Sequence, residues 1–178
     1  MQARGPLMIE HRLIQQMLDL IQRKLDDVER TQSIDPYFVD TAVDFIQVYA
    51  DRTHHGKEED ILFIDLRKKH LSKEDLQVMD ELIDDHIFCR STTKKLIEAN
   101  EHYRRGDNDS LDKIKIHLKT LVEFYPQHIK NEDEIFFPAS RAYFSDEEDQ
   151  AMLGNFWDFD RKMIHEKYKS LVENLEEK

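Results

Sequence analysis

His54-His55-Gly56-Lys57-Glu58-Glu59-Asp60-Ile61-Leu62-Phe63 and His128-Ile129-Lys130-Asn131-Glu132-Asp133-Glu134-Ile135-Phe136-Phe137 follow one plan: a histidine, a glutamate four residues later, and then an apolar triplet. Residues four apart stack on one face of a helix, so each stretch aims an imidazole and a carboxylate at the same point. That donor pair suits a divalent metal. One such pair alone carries little weight, because helical salt-bridge chemistry produces it often in a chain with nine histidines.

Outward from these units the apolar positions keep a helical rhythm. Leu7, His11, Ile14, Leu18, Ile21, Leu25 and Val28 alternate in steps of four and three, and Ile114, Leu118, Leu121, Tyr125, His128, Glu132, Ile135 and Ala139 do the same. Val39, Val43, Ile46, Ala50, His54, Glu58 and Ile61 step less regularly, as do Leu76, Met79, Ile83, His86, Arg90, Thr93 and Ile97. Every seam contains a histidine. Breakers at Ser33-Ile34-Asp35-Pro36, His70-Leu71-Ser72, Gly106-Asp107-Asn108-Asp109 and Phe144-Ser145 separate the segments. Ser72 with Asp75, and Ser145 with Glu148, have the spacing of capping boxes.

Helices of this length are stable mainly by lying against one another. The pattern therefore predicts an all-α fold: an up-down-up-down four-helix bundle over residues 1–142, with an additional C-terminal helix over 143–178 packed on it. The extension carries Phe156, Trp157, Phe159, Met163, Ile164, Tyr168, Leu171 and Leu175, with Gly154 as a candidate break.

Composition agrees. Only four glycines and four prolines in 178 residues leave few tight turns for hairpins. A net charge of −12, with no basic block interleaved with aromatics, argues against nucleic acid as a partner. The apolar run Leu7-Met8-Ile9 is too short for a signal peptide, and no long apolar stretch exists, so a soluble cytoplasmic protein that does not engage a membrane is expected. A single cysteine, Cys89, excludes an internal disulfide and a cysteine-based zinc site.

Depth along the rods strengthens the metal reading. Counted from the links, His11, His54, Glu58, His86, His128 and Glu132 all lie about 18 to 22 residues from one end of the bundle. At 1.5 Å per residue that spread is about 6 Å, small enough for all six side chains to meet. Buried without a cation, they would carry a heavy desolvation cost. Imidazole and carboxylate without thiolate suit iron, manganese or zinc, and two carboxylates able to bridge favour a pair of ions. Ferritin-like carboxylate bundles use Glu-x-x-His instead, and no histidine here has glutamate three residues before it.

The chain resembles the hemerythrin-like, HHE cation-binding family. The likeness rests on Glu10-His11, on residues 54–63, on Asp85-His86 with Arg90, and on Tyr125-Pro126-Gln127-His128 through Phe137-Pro138, together spanning about residues 7–142. It implies a four-helix bundle holding two iron ions in a non-haem di-iron centre, with zinc or manganese as substitutes. It also implies a protein that binds or senses dioxygen, nitric oxide or another small diatomic ligand. An iron sensor or store, a metal-gated interaction module, and a nitric oxide- or peroxide-reducing or iron-centre repair protein remain alternatives. Carried over by position, His11, His54, His86 and His128 match terminal ligands, and Glu58 and Glu132 match bridging carboxylates.

The family's oxygen carriers have a histidine where this chain has Arg90, which leaves the ligand set one short unless His55 or solvent fills it. His55 sits about 100° round the helix from His54 and ligates only if the helix turns that edge inward; in one branch of the family the equivalent position is a ligand. Outside the ligands, Arg90 is expected to pair with Glu59, and Tyr125 to pack one turn before His128. Pro126 is expected to kink its helix and aim the His128/Glu132 turn inward. Cys89 reads as a small buried hydrophobe, and His70, His102, His117 and His165 as surface or cap residues.

Overall fold

The computed structural model describes residues 2–176, with side chains placed for all but 166, 168 and 170–176. Among the described residues the secondary structure is entirely helical. α1 spans Arg4–Thr31. A second rod is built from α2 (Pro36–Asp44), a π-helical stretch π1 (Phe45–His55), a second one π2 (Glu58–Leu62), and α3 (Phe63–Arg67). α4 spans Lys73–Arg104. The fourth rod joins α5 (Ser110–Asn131), π3 (Glu132–Phe136) and α6 (Phe137–Arg141), and α7 follows over Asp146–Glu176.

Local chemistry sets the ends. Asp35 caps α2 by accepting from the Tyr37 amide at 3.0 Å, with Pro36 in the first turn where its missing amide costs nothing. Ser72 Oγ accepts from the Asp75 amide at 3.0 Å, but the reciprocal contact is absent because the Ser72 amide donates to Tyr143 Oη. The Ser145/Glu148 box is complete in both directions. The turn after α4 uses Gly106 at φ 96°, a conformation glycine adopts without strain.

α1 packs on α5 and π1, α4 packs on α2 and α5, and α7 lies against π1 and π2. All seven α1 seam residues are buried, as the heptad reading requires. The other seams hold partly. After Glu58 the buried residue is Leu62 rather than Ile61, and after Glu132 it is Phe136 rather than Ile135, which is exposed. The cause is the π turn, whose i→i+5 bonding accommodates one extra residue and slips the inward face by one position. On α4 the buried line is Met79, Leu82, His86, Cys89, Thr93 and Leu96, so Leu76, Ile83, Arg90 and Ile97 lie off the fully buried line.

α7 runs through Gly154 without a break, because Met152, Leu153 and Phe156 on either side anchor it to the core. α5 likewise continues through Pro126, and the irregularity falls six residues later at π3. The side chains of Tyr168, Leu171 and Leu175 lie outside those described.

Two apolar clusters fill the interior. One contains Ile14, Leu18, Ala50, Cys89, Leu121 and Tyr125; the other contains Leu7, Leu62, Met79, Leu82, Phe136 and Phe156. On every rod the chain passes from one cluster to the other through histidines and glutamates, so a buried polar layer separates two dry ones.

Candidate metal centre

Seven ionisable side chains form that layer: His11, His54, His55, Glu58, His86, His128 and Glu132, all essentially inaccessible to solvent. The π geometry explains how His54 and His55 both face inward, since neighbours on a wide turn lie closer in angle than the 100° of an α-helix. This register turns the edge that carries His55 inward, beside His86 and His128.

The ligand atoms fall into two groups, each with all atoms within 4.8 Å of one another: His11, His54, Glu58 and Glu132 in one, His55, His86 and His128 in the other. The carboxylates span the two. Glu58 Oε1 lies 3.7 Å from His54 Nε2 while its Oε2 lies 3.5 Å from His86 Nε2. Glu132 Oε2 lies 3.1 Å from His11 Nε2 while its Oε1 lies 3.3 Å from His128 Nε2. His11 Nε2 and His54 Nε2 are 2.8 Å apart. Two nitrogens bound to one cation at 2.0–2.1 Å and a right angle would be about 2.9 Å apart.

Each of the five histidines turns its other nitrogen, Nδ1, toward a carboxylate. The partners are Asp133 for His11 (2.9 Å), Glu10 for His54 (2.9 Å), Asp51 for His55 (3.5 Å), Glu59 for His86 (2.6 Å) and Asp85 for His128 (3.1 Å). An ionised carboxylate only accepts, so the four closer contacts put a proton on Nδ1 and turn Nε2 toward the centre, where a cation would displace any second proton. Arg90 donates to Asp51 and Glu59, both at 2.6 Å, and so braces the partners of His55 and His86. Tyr125 stacks on the His55 ring with centroids 6.2 Å apart. Cys89 is buried, and burial pushes its thiol up to about 12. His70, His102 and His165 are exposed and His117 is half-buried.

The electrostatics of the layer call for a cation. Burial and the neighbouring Glu132 carboxylate hold Glu58 well above the usual carboxylate range. Burial also opposes ionisation of Glu132, but His128, His11 and His86 outweigh it and hold it well below that range. Without a cation the layer therefore favours a neutral Glu58 beside an ionised Glu132. Burial depresses His11, yet Asp133 and Glu132 together lift it to about 9, whereas burial takes His54 down to about 4. Both oxygens of Glu58 and of Glu132, and Nε2 of His55, His86 and His128, are buried with no hydrogen-bond partner. Such atoms are costly unless a metal takes them.

Sequence reasoning placed six of the seven inner groups at one depth and left His55 open, and it missed Glu10, Asp51, Asp85 and Asp133 as partners of the imidazoles. A signal was present: an acid precedes His11 and His86, and an acid follows Glu58 and Glu132. The pairing crosses between rods, so Glu10 serves His54 rather than its neighbour His11, which only the fold decides.

A helical protein with a cradle of imidazoles and carboxylates able to take a pair of cations is thus defined by geometry alone. The profile of the hemerythrin HHE cation-binding domain matches residues 6–140, and the chain belongs to that family. No curated protein and no solved structure matches it. Among the described residues no helix is long and apolar enough to cross a membrane.

Proposed function

We propose that the protein holds two iron ions and binds or senses dioxygen, or another small diatomic ligand such as nitric oxide, in an up-down-up-down bundle capped by α7. The observation that carries this reading is the span of Glu58 and Glu132, each of which offers one oxygen to either group of histidines. His11 and His54 would hold one ion, and His55, His86 and His128 the other, with both glutamates between them. His55 would take the place that Arg90 leaves unfilled. The first group has one imidazole fewer, and this asymmetry favours the His11/His54 side for an incoming ligand.

Iron there would supply reversible binding of the diatomic ligand. The protein's own residues supply the rest. Four carboxylates orient the imidazoles of His11, His54, His86 and His128, while Phe137 stacked on His11 at 5.8 Å and Phe63 on His86 at 6.1 Å exclude water. Loading with ferrous iron under anaerobic conditions should give two ions per chain, and admission of air should produce charge-transfer absorption that fades on deoxygenation. Two bound ions without any spectral response to air would remove the oxygen chemistry.

A second reading, an iron sensor or metal-gated interaction module, is favoured by the buried layer itself. A bundle whose interior holds two glutamates and five histidines depends on the metal for stability. Melting on chelation, without response to diatomic gases, would distinguish it. Zinc or manganese would satisfy the same donors. Cytoplasmic location and the absence of nucleic-acid or membrane partners complete the proposal.

A further inference from the structure

Lys57 lies between His55 and Glu58 in sequence and is 0% exposed. Lysine is almost never fully buried unless it is paired. Its ammonium meets two carboxylates from two other elements, Glu10 on α1 and, at 2.8 Å, Asp160 on α7. Glu10 in turn accepts the Nδ1 hydrogen of His54 at 2.9 Å. A continuous run of opposite charges therefore leads from α7, through the Asp160–Lys57 ion pair and Glu10, to an imidazole of the centre. It is not part of the repeated plan, because the matching position one residue before Glu132 is Asn131.

α7 also presses on the backbone of the ligand-bearing turn. A Cβ on Gly56 would come within 2.8 Å of Phe159 Cζ, so glycine is what permits the approach. Up to this point α7 is anchored by Met152, Leu153 and Phe156. From Asp160 onward, Met163, Ile164 and Lys167 line a cavity of about 570 Å³ together with residues of α1, α2 and π1. Asp160 thus stands between the stretch of α7 anchored in the core and the residues that line this cavity. The matched domain ends at residue 140, before α7 begins.

We propose that Lys57 and Asp160 are positioning residues of the metal centre, acting through Glu10 on His54, so that docking of α7 and occupancy of the His11/His54 side are linked. This rests on the metal reading above. Glu10 can hold His54 in one orientation and tautomer only while its own second oxygen is tied down, and Lys57 ties it. Lys57 stays in a dry position only while two carboxylates neutralise it. Removal of Asp160 leaves a buried ammonium with a single partner and loosens Glu10 and His54 together. Linkage is reciprocal: whatever factor α7 docking adds to metal affinity, metal binding returns to α7 docking.

The test uses the full chain and cobalt(II), whose visible absorption reports the ligand set, titrated against a competing chelator. Asp160→Asn should weaken one of the two bound ions about 10-fold or more and alter its absorption bands, leaving the other ion and the helical circular dichroism unchanged. Asp160→Glu should restore the affinity. Asp158→Asn, on the same helix but paired with Arg161 at the surface, should have no effect. In the wild type, cobalt should slow amide exchange over residues 156–165, and in Asp160→Asn it should not. Two ions bound equally well by wild type and Asp160→Asn, or exchange indifferent to cobalt, would overturn the coupling alone. Wild-type protein that takes up no cobalt would overturn the metal reading and the coupling with it.

Discussion

His55 shows how much one position can decide. Its ring lies 3.8 Å from that of His86, centroid to centroid, and burial together with His86 keeps it well below the usual imidazole range, so it is a neutral donor without a proton to shed. His55→Ala should therefore weaken the second ion by more than the ~10–100-fold typical of losing an outer partner, leaving one tightly held metal per chain by elemental analysis. Two ions retained would exclude it as a ligand. His11 and His54 give a pH signature when metal is removed by chelation. His11, lifted to about 9, contributes stability that is complete below its unfolded value of 6.5 and lost as pH rises through about 9. His54, lowered to about 4, contributes stability that is present above 6.5 and lost as pH falls toward 4. The urea midpoint of the chelated protein should peak near pH 6.5 on account of these two groups, and saturating metal should flatten both flanks.

At the level of the element, the π turns are where heptad reasoning and structure part. A seam read with a period of 3.5 is correct until a turn takes in one extra residue, and then every later position shifts. The same turns bring His54 and His55 inward together. Their occurrence at both His-x-x-x-Glu units fits the tendency of π-bulges to sit at functional sites. On α4 the slip has a different cause: Leu82, Cys89 and Leu96 compete with Ile83, Arg90 and Ile97 for the interior, and packing against α5 chooses the former. Substitution tests this register. Leu82→Ala, at a position 2% exposed, should cost about 2–5 kcal/mol in urea unfolding. Leu76→Ala, 40% exposed, should change stability by no more than about 0.5 kcal/mol. Equal effects would mean that the seam runs as the heptad alone suggests.

For the whole molecule, a polar layer between two apolar clusters predicts that folding and metal binding are linked. A metal at 100 times its dissociation constant should add about 2.7 kcal/mol per site to unfolding free energy, read as a rise in melting temperature that depends on metal concentration and is reversed by chelator. A melting temperature indifferent to metal would show that the layer is self-sufficient. The amino-acid sequence by itself determined the helical class, the links, the α1 seam and the common depth of His11, His54, Glu58, His86, His128 and Glu132, because periodicity, capping and rise per residue are local properties of the chain. Only the tertiary structure decided that His55 joins the layer, that Glu10 serves His54 and Asp85 serves His128, and that α7 reaches Lys57 through Asp160. These depend on how rods from distant parts of the chain rotate and pack against one another, and no local rule of spacing encodes that rotation.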